Sequence, residues 1–204
     1  MRVQCPSAYR QLNRPRLPLR TLDDAPEDTR ASLATAEKNN GYLPNLLRTL
    51  ANAPVALEAY LTVSGINARG SISLVEREAV QITAAAVHGC GYCVAGHSAL
   101  AEKKAKLGKS AIDALRNRST VSDPRLNAIA RFTEAVIASR GGVSDDELAR
   151  FKEAGFTDQA ALEVVLGVSL ATLCNFANNL GRPPLNEQLE TYRWTPPSLS
   201  ASAR

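Results

Sequence analysis

Helix starts and stops recur so regularly along this 204-residue chain that they leave little room for a sheet. Pro26-Glu27-Asp28 opens a helix to about Lys38, with acids in the first turn where the helix dipole favours them. Gly41-Tyr42-Leu43-Pro44-Asn45 reads as a turn, and Pro54 starts a helix ending around Gly70, with Val55, Leu57, Leu61 and Ile66 among its apolar positions. Ser73 and Glu76 have the spacing of a capping box, and their helix runs to about His88 before Gly89 breaks it. The next helix begins near Cys90 and continues through Glu102-Lys103-Lys104 to Gly108. Asp123-Pro124 opens another, ending at Gly141-Gly142, and Ser144-Asp145-Asp146-Glu147 repeats the capping pattern before a short helix to Gly155. Thr157-Asp158 leads into a long apolar helix to about Gly181. The expected fold class is all-α, a helical bundle.

The domain organisation follows from charge and polarity. Residues 1–22 hold five arginines (Arg2, Arg10, Arg14, Arg16, Arg20) and no acid; without them, 19 basic residues face 20 acidic ones. The net charge of +4 therefore belongs to a basic N-terminal arm, which argues against nucleic-acid binding by the body. Residues 23–188 form the expected helical domain. From 189 to 204, through Trp194-Thr195-Pro196-Pro197, the chain reads as a polar C-terminal tail. No run of eighteen apolar residues predicts a membrane span, and the N-terminus lacks the apolar centre of a secretory signal. Four cysteines do not make a secreted disulfide framework; a reducing cytoplasm with one cycling dithiol fits best.

Within Cys90-Gly-Tyr-Cys93-Val-Ala-Gly-His97 lie two thiols and one of the chain's two imidazoles. Cys93 and His97, four apart, share a helix face, and Cys90 falls at the helix N-terminus, where free N–H groups stabilise a thiolate. If the helices on either side of Gly89 fold back antiparallel, Glu78 lies opposite the region of Leu100. At about 1.5 Å per residue that is only ~4–5 Å along the axis from His97. A Glu78–His97–Cys relay follows, with the carboxylate orienting the ring and stabilising its protonated form.

Other readings compete. A Cys-x-x-Cys can be half of a zinc site, with His97 or His88 adding ligands, but Cys5 and Cys174 do not supply a second pair. The two cysteines could be merely structural. A thioredoxin fold needs a βαβ context that is absent here. His88, beside a helix break, reads as a capping or packing residue. Tyr92 reads as packing, with a hydroxyl able to donate in a pocket. An internal echo is also present: Glu163, Asn175 and Asn178 repeat the spacing of Glu78, Cys90 and Cys93, with Arg182 at the place of His97. It fits two related helical halves, the second degenerate, or chance agreement between alanine- and valine-rich helices.

Glu78-x11-Cys90-x2-Cys93-x3-His97 in a helical chain resembles the alkylhydroperoxidase AhpD-like branch of the carboxymuconolactone decarboxylase family. The similarity runs from about Asn39 to Leu185, including Asp123-Pro124-Arg125 and Gly155-Phe156-Thr157-Asp158. The resemblance implies a helical homo-oligomer, a trimer or hexamer, with thiol-dependent peroxidase or disulfide-reductase activity. It assigns Cys93 the peroxide-reactive role, assisted by His97 and Glu78, and makes Cys90 resolving. The family's best-studied type has a histidine before the second cysteine; Tyr92 stands there in this chain, so a relay through that imidazole is missing.

The expected activity is that of a peroxiredoxin-type oxidoreductase reducing a hydroperoxide. It would use no metal or organic cofactor, and a dithiol donor such as a lipoylated protein or thioredoxin would regenerate the pair. The alternatives are a non-redox lactone decarboxylase on the same scaffold, a thiol redox sensor or oligomeric binding protein without turnover, and a zinc-binding module.

Overall fold

A computed structural model describes residues 14–196. Among them are nine α-helices and one 3-10 helix, with no strand. In chain order the helices are α1 Glu27–Asn40, α2 Asn45–Leu50, α3 Pro54–Asn67, α4 Leu74–Val87 and α5 Gly91–Lys103. They continue with α6 Lys109–Arg116, α7 Pro124–Ser139, α8 Asp145–Glu153 and α9 Asp158–Gly181, and the 3-10 helix is Glu187–Tyr192. The fold class is all-α, as the capping pattern predicts.

Helix α4 is the central element. Its Ser73 cap forms the full capping box with Glu76, whose other carboxylate oxygen accepts from Arg125 Nε of α7 at 2.6 Å. That bond ties the start of α4 to α7 and fixes the register of Glu78 half a turn later. Along α4, residues 78–86 are buried without a break, because α5, α7 and α9 pack around it. One core unites α4 with α6, α7, α8 and the first half of α9, where Ile82, Ile129, Phe151 and Val164 are buried. A second core joins α1–α3 to Cys90, Cys93, Val94 and the second half of α9.

Several elements depart from the sequence reading. The turn at 41–45 is real at its start, where Gly41 takes a left-handed φ of 75°, but Asn45–Leu50 then forms a helix that buries Leu46, Leu47 and Leu50. The helix from Cys90 ends at Lys103 rather than Gly108, since Lys106 adopts φ 58°. Lys109–Arg116 is a further helix, held by buried Ile112 and Leu115. The segment read as a tail from 189 begins in the 3-10 helix, with Leu189 buried against Ala95 and Ala99 of α5. Arg116 donates to the carbonyls of Tyr192 and Arg193, and Tyr192 donates to Glu102.

The part of the basic arm within the described residues runs beside α2 and the end of α9. The Arg16 N–H donates to Gly181 O at 2.7 Å, and the Arg48 guanidinium donates to the carbonyls of Leu19 and Arg20. Arg2, Cys5 and Arg10 lie outside the described residues. By length and composition, α9 is apolar enough to cross a membrane, a property the search for an eighteen-residue apolar run did not reveal. One side of α9 packs on the bundle, and Leu162, Val165, Phe176 and Leu180 face outward.

Candidate active site

Only His88, Gly89 and Cys90 separate α4 from α5, and this short connection builds the site. Gly89 takes φ 66°, a left-handed conformation that reverses the chain at little steric cost. The two helices then pack against one another, so Glu78 meets His97. The Glu78 Oε2 to His97 Nδ1 distance is 2.8 Å, with the Glu78 side chain 8% exposed and His97 27%. With Nδ1–H engaged by the carboxylate, Nε2 remains for proton transfer. Burial disfavours the charge on His97, but the field and hydrogen bond of Glu78, helped by Cys90, outweigh it and raise the pKa.

Cys90 is the N-cap of α5, and Cys93 lies in its first turn. Both are buried and reduced. The hydrogen bond from the Cys93 thiol is the strongest influence on Cys90; burial opposes it, and the Cys93 N–H, Asn178 and the charge of His97 add to it, lowering the Cys90 pKa. Cys93 is correspondingly pushed up, first by its bond to Cys90 and then by burial. Of the two thiols, Cys90 is the more acidic. The positive field of His97 acts on Cys90, which differs from the pairing of His97 with Cys93 drawn from their four-residue spacing.

Two residues that the sequence did not single out for catalysis complete the surroundings. Asn178 donates from Nδ2 to Cys93 Sγ at 3.2 Å. Cys174, one turn earlier on α9, is buried in the same core, and burial and the charge of Cys90 push its pKa up to about 12. The echo at least pointed to Asn178; nothing in the sequence marked Cys174 as a neighbour of the pair. Asn175 binds His88 Nδ1 at 3.0 Å, and the His88 carbonyl accepts from Asn179, so His88 anchors the end of α4 to α9. Glu163 lies far from the thiols and binds the backbone at Ser71 and Ile72.

Tyr92 has its hydrogen-bond partners on α2 and in the segment after α9. Its hydroxyl donates to Asn186 Oδ1 at 2.6 Å and accepts from the Leu46 N–H, and burial raises its pKa. It ties α5 to α2 and to the segment after α9. Among the described residues no cluster of three His, Cys, Asp or Glu side chains could hold a metal ion. A cavity of about 190 Å³ reaches Glu78, His97 and Cys174, with Tyr60, Leu74 and Leu100 among its walls. A larger one of about 550 Å³, between α7 and α8, holds no thiol or histidine.

Residues 54–135 match the carboxymuconolactone decarboxylase family. No match is found among curated proteins. Solved structures of the same fold include an uncharacterized peroxidase-related protein with an alkylhydroperoxidase AhpD core from Ralstonia eutropha JMP134. It is 24% identical, with TM-score 0.78 over 89% of this chain and 97% of that one. A peroxidase-related protein from Silicibacter sp. TM1040 is 17% identical, with TM-score 0.74 over 87% and 94%. A variant of the debrominase Bmp8 in complex with 2,3,4-tribromopyrrole is also 17% identical, with TM-score 0.70 over 86% and 94%.

Proposed function

Taking the chain as an AhpD-like member of the carboxymuconolactone decarboxylase family, we propose that it is a thiol-dependent peroxidase cycling Cys90 and Cys93 through a disulfide. The observation that carries this reading is the Glu78–His97 pair beside a buried dithiol in which Cys90 is the more acidic thiol. Cys90 attacks the terminal peroxide oxygen, the O–O bond breaks, and the alkoxide takes its proton from the His97 imidazolium. Cys90 is then a sulfenic acid. The Cys93 sulfur displaces its hydroxyl, which leaves as water with the Cys93 proton, and the disulfide forms. A dithiol donor, a lipoylated protein or thioredoxin, restores both thiols by exchange. This order exchanges the roles the family resemblance gives the two cysteines, and its warrant is the lowered pKa of Cys90.

The steps need no metal or organic cofactor, and a reducing cytoplasm would keep the pair cycling. The outward apolar side of α9, with Leu162 at 72% exposure and Phe176 at 55%, supports a homo-oligomer, a trimer or hexamer, in which a second copy covers it.

Peroxide consumption with an excess of dithiol reductant tests the reading. Cys90→Ser and Cys93→Ser should each abolish turnover, and undiminished activity in either removes the dithiol from the reaction. Decarboxylation of a lactone would survive loss of both thiols. A redox sensor would form the disulfide without turnover. The Bmp8 likeness supports a second reading, thiol-driven debromination of a small aromatic, which bromide release would identify.

A further inference from the structure

The 190 Å³ cavity, which meets the site at Glu78 and His97 and is lined by neither Cys90 nor Cys93, has polar lining residues that the proton chemistry does not use. Arg77 lines it one residue before Glu78. Its Nη1 donates to Ile72 O at 2.7 Å, and among the described residues its other guanidinium nitrogens have no acceptor and no carboxylate pairs with it. Asn67, the last residue of α3, is 8% exposed and also lines the cavity. Among the described residues its side-chain amide makes no hydrogen bond to protein. An amide and a guanidinium with spare donors, lining one space, make a receptor for an oxyanion.

The lining also has apolar residues. Leu74, Leu100 and Leu170 line the cavity with Tyr60, and Leu74 and Leu100 are 39% and 43% exposed. The volume falls below the roughly 300–1,000 Å³ of sites for drug-sized ligands, so the ligand is small. Of the charged residues in the lining, Glu78 is engaged by His97, and Arg77 is the only arginine or lysine there.

We propose that this cavity is a substrate subsite for a small organic hydroperoxide bearing a carboxylate, with Arg77 and Asn67 holding the carboxylate and the leucine wall holding the carbon skeleton. The proposal rests on the peroxidase reading for the reactive end of the ligand and on the cavity alone for the anionic end. The guanidinium and the imidazolium would then engage opposite ends of one molecule.

Two measurements separate those parts. In the first, turnover of cumene hydroperoxide is compared with that of its para-carboxylate. The ratio of kcat/KM should favour the carboxylate by about tenfold in the unmodified protein, mainly through KM, and fall to about one in Arg77→Gln. Arg77→Lys, which keeps the charge, should recover part of the preference. The second uses 4-isopropylbenzoate, which cannot react, and measures its binding by calorimetry in the unmodified protein, Arg77→Gln and Asn67→Ala. Both variants should bind it more weakly, and neutral cumene should not discriminate among the three. Failure of every hydroperoxide to turn over, with benzoate binding still dependent on Arg77, would sink the peroxidase reading and leave the anion subsite standing. Equal binding of 4-isopropylbenzoate by the unmodified protein and folded Arg77→Gln, or no preference for the carboxylated peroxide, would overturn the proposal.

Discussion

Asn178 Nδ2 donates to the Cys93 sulfur at 3.2 Å, while Asn178 Oδ1 is buried with no hydrogen-bond partner among the described residues. A residue of α9 thus reads the protonation of a dithiol on α5. The donor favours negative charge on the pair, and it lowers the pKa of Cys90 as well as acting on Cys93.

Removing that donor should slow the thiols at neutral pH without blocking them. In Asn178→Leu, which keeps the branched shape of asparagine without its donor, alkylation of the pair by iodoacetamide at pH 7 should fall about tenfold, the effect of one pKa unit. The rates should converge at alkaline pH, where the thiolate forms in both proteins. An equal deficit at every pH would mean that Asn178 shapes access and leaves the charge alone.

Glu78→Gln tests the imidazole. Glu78 raises the His97 pKa above its ordinary value, so the substitution should drop the titration midpoint seen by NMR at the His97 ring protons. A group whose pKa is raised on folding adds stability that is full below its unfolded value near 6.5 and is lost as pH rises through the folded value. The unmodified protein should therefore lose stability relative to Glu78→Gln as pH climbs through that range. Peroxide turnover should decline over the same interval, because neutral His97 no longer protonates the leaving alkoxide. An unchanged midpoint would detach Glu78 from the ring.

The Glu78–His97 contact was legible because it needs only helix rise and a sharp turn at Gly89, and both are written locally. The proton balance between the thiols was not, because it depends on how the N-cap sulfur at Cys90 meets its neighbour. Asn178 was visible as the counterpart of Cys93 in the internal echo, but repeat spacing says nothing about which helix it faces. The helices Asn45–Leu50 and Lys109–Arg116 escaped for a different reason. Each spans little more than two turns at most, and their stability comes from leucines and isoleucines buried against other elements. The polarity of 189–196 hid Leu189 and the close approach of the backbone to Gly91.

That approach yields a stability prediction. A Cβ at Gly91 would stand 2.7 Å from the Trp194 carbonyl oxygen, so Gly91→Ala must push the C-terminal segment off the start of α5. The expected cost is about 1–3 kcal/mol. Proteolysis should cut near Trp194 faster in the variant, since Arg116 would lose its carbonyl acceptors at Tyr192 and Arg193. A variant as stable and as resistant as the parent would show that the segment can shift without loss.

Glu163 gives the last prediction, far from the thiols. Its carboxylate accepts from the N–H of Ser71 at 2.8 Å and of Ile72 at 3.1 Å, fastening α9 to the turn that precedes the Ser73 cap. Partial burial opposes the charge, but these bonds win and hold the pKa at about 2. A carboxyl group lowered on folding contributes stability that is complete above its unfolded value near 4.3 and vanishes as pH falls through the folded one. Glu163→Gln should therefore cost about 1–2 kcal/mol at pH 7, from weaker bonds to the same N–H groups. Denaturant curves of the two proteins should draw together between pH 4.3 and about 2. A gap that stays constant to pH 2 would mean that the charge of Glu163 adds nothing beyond its shape.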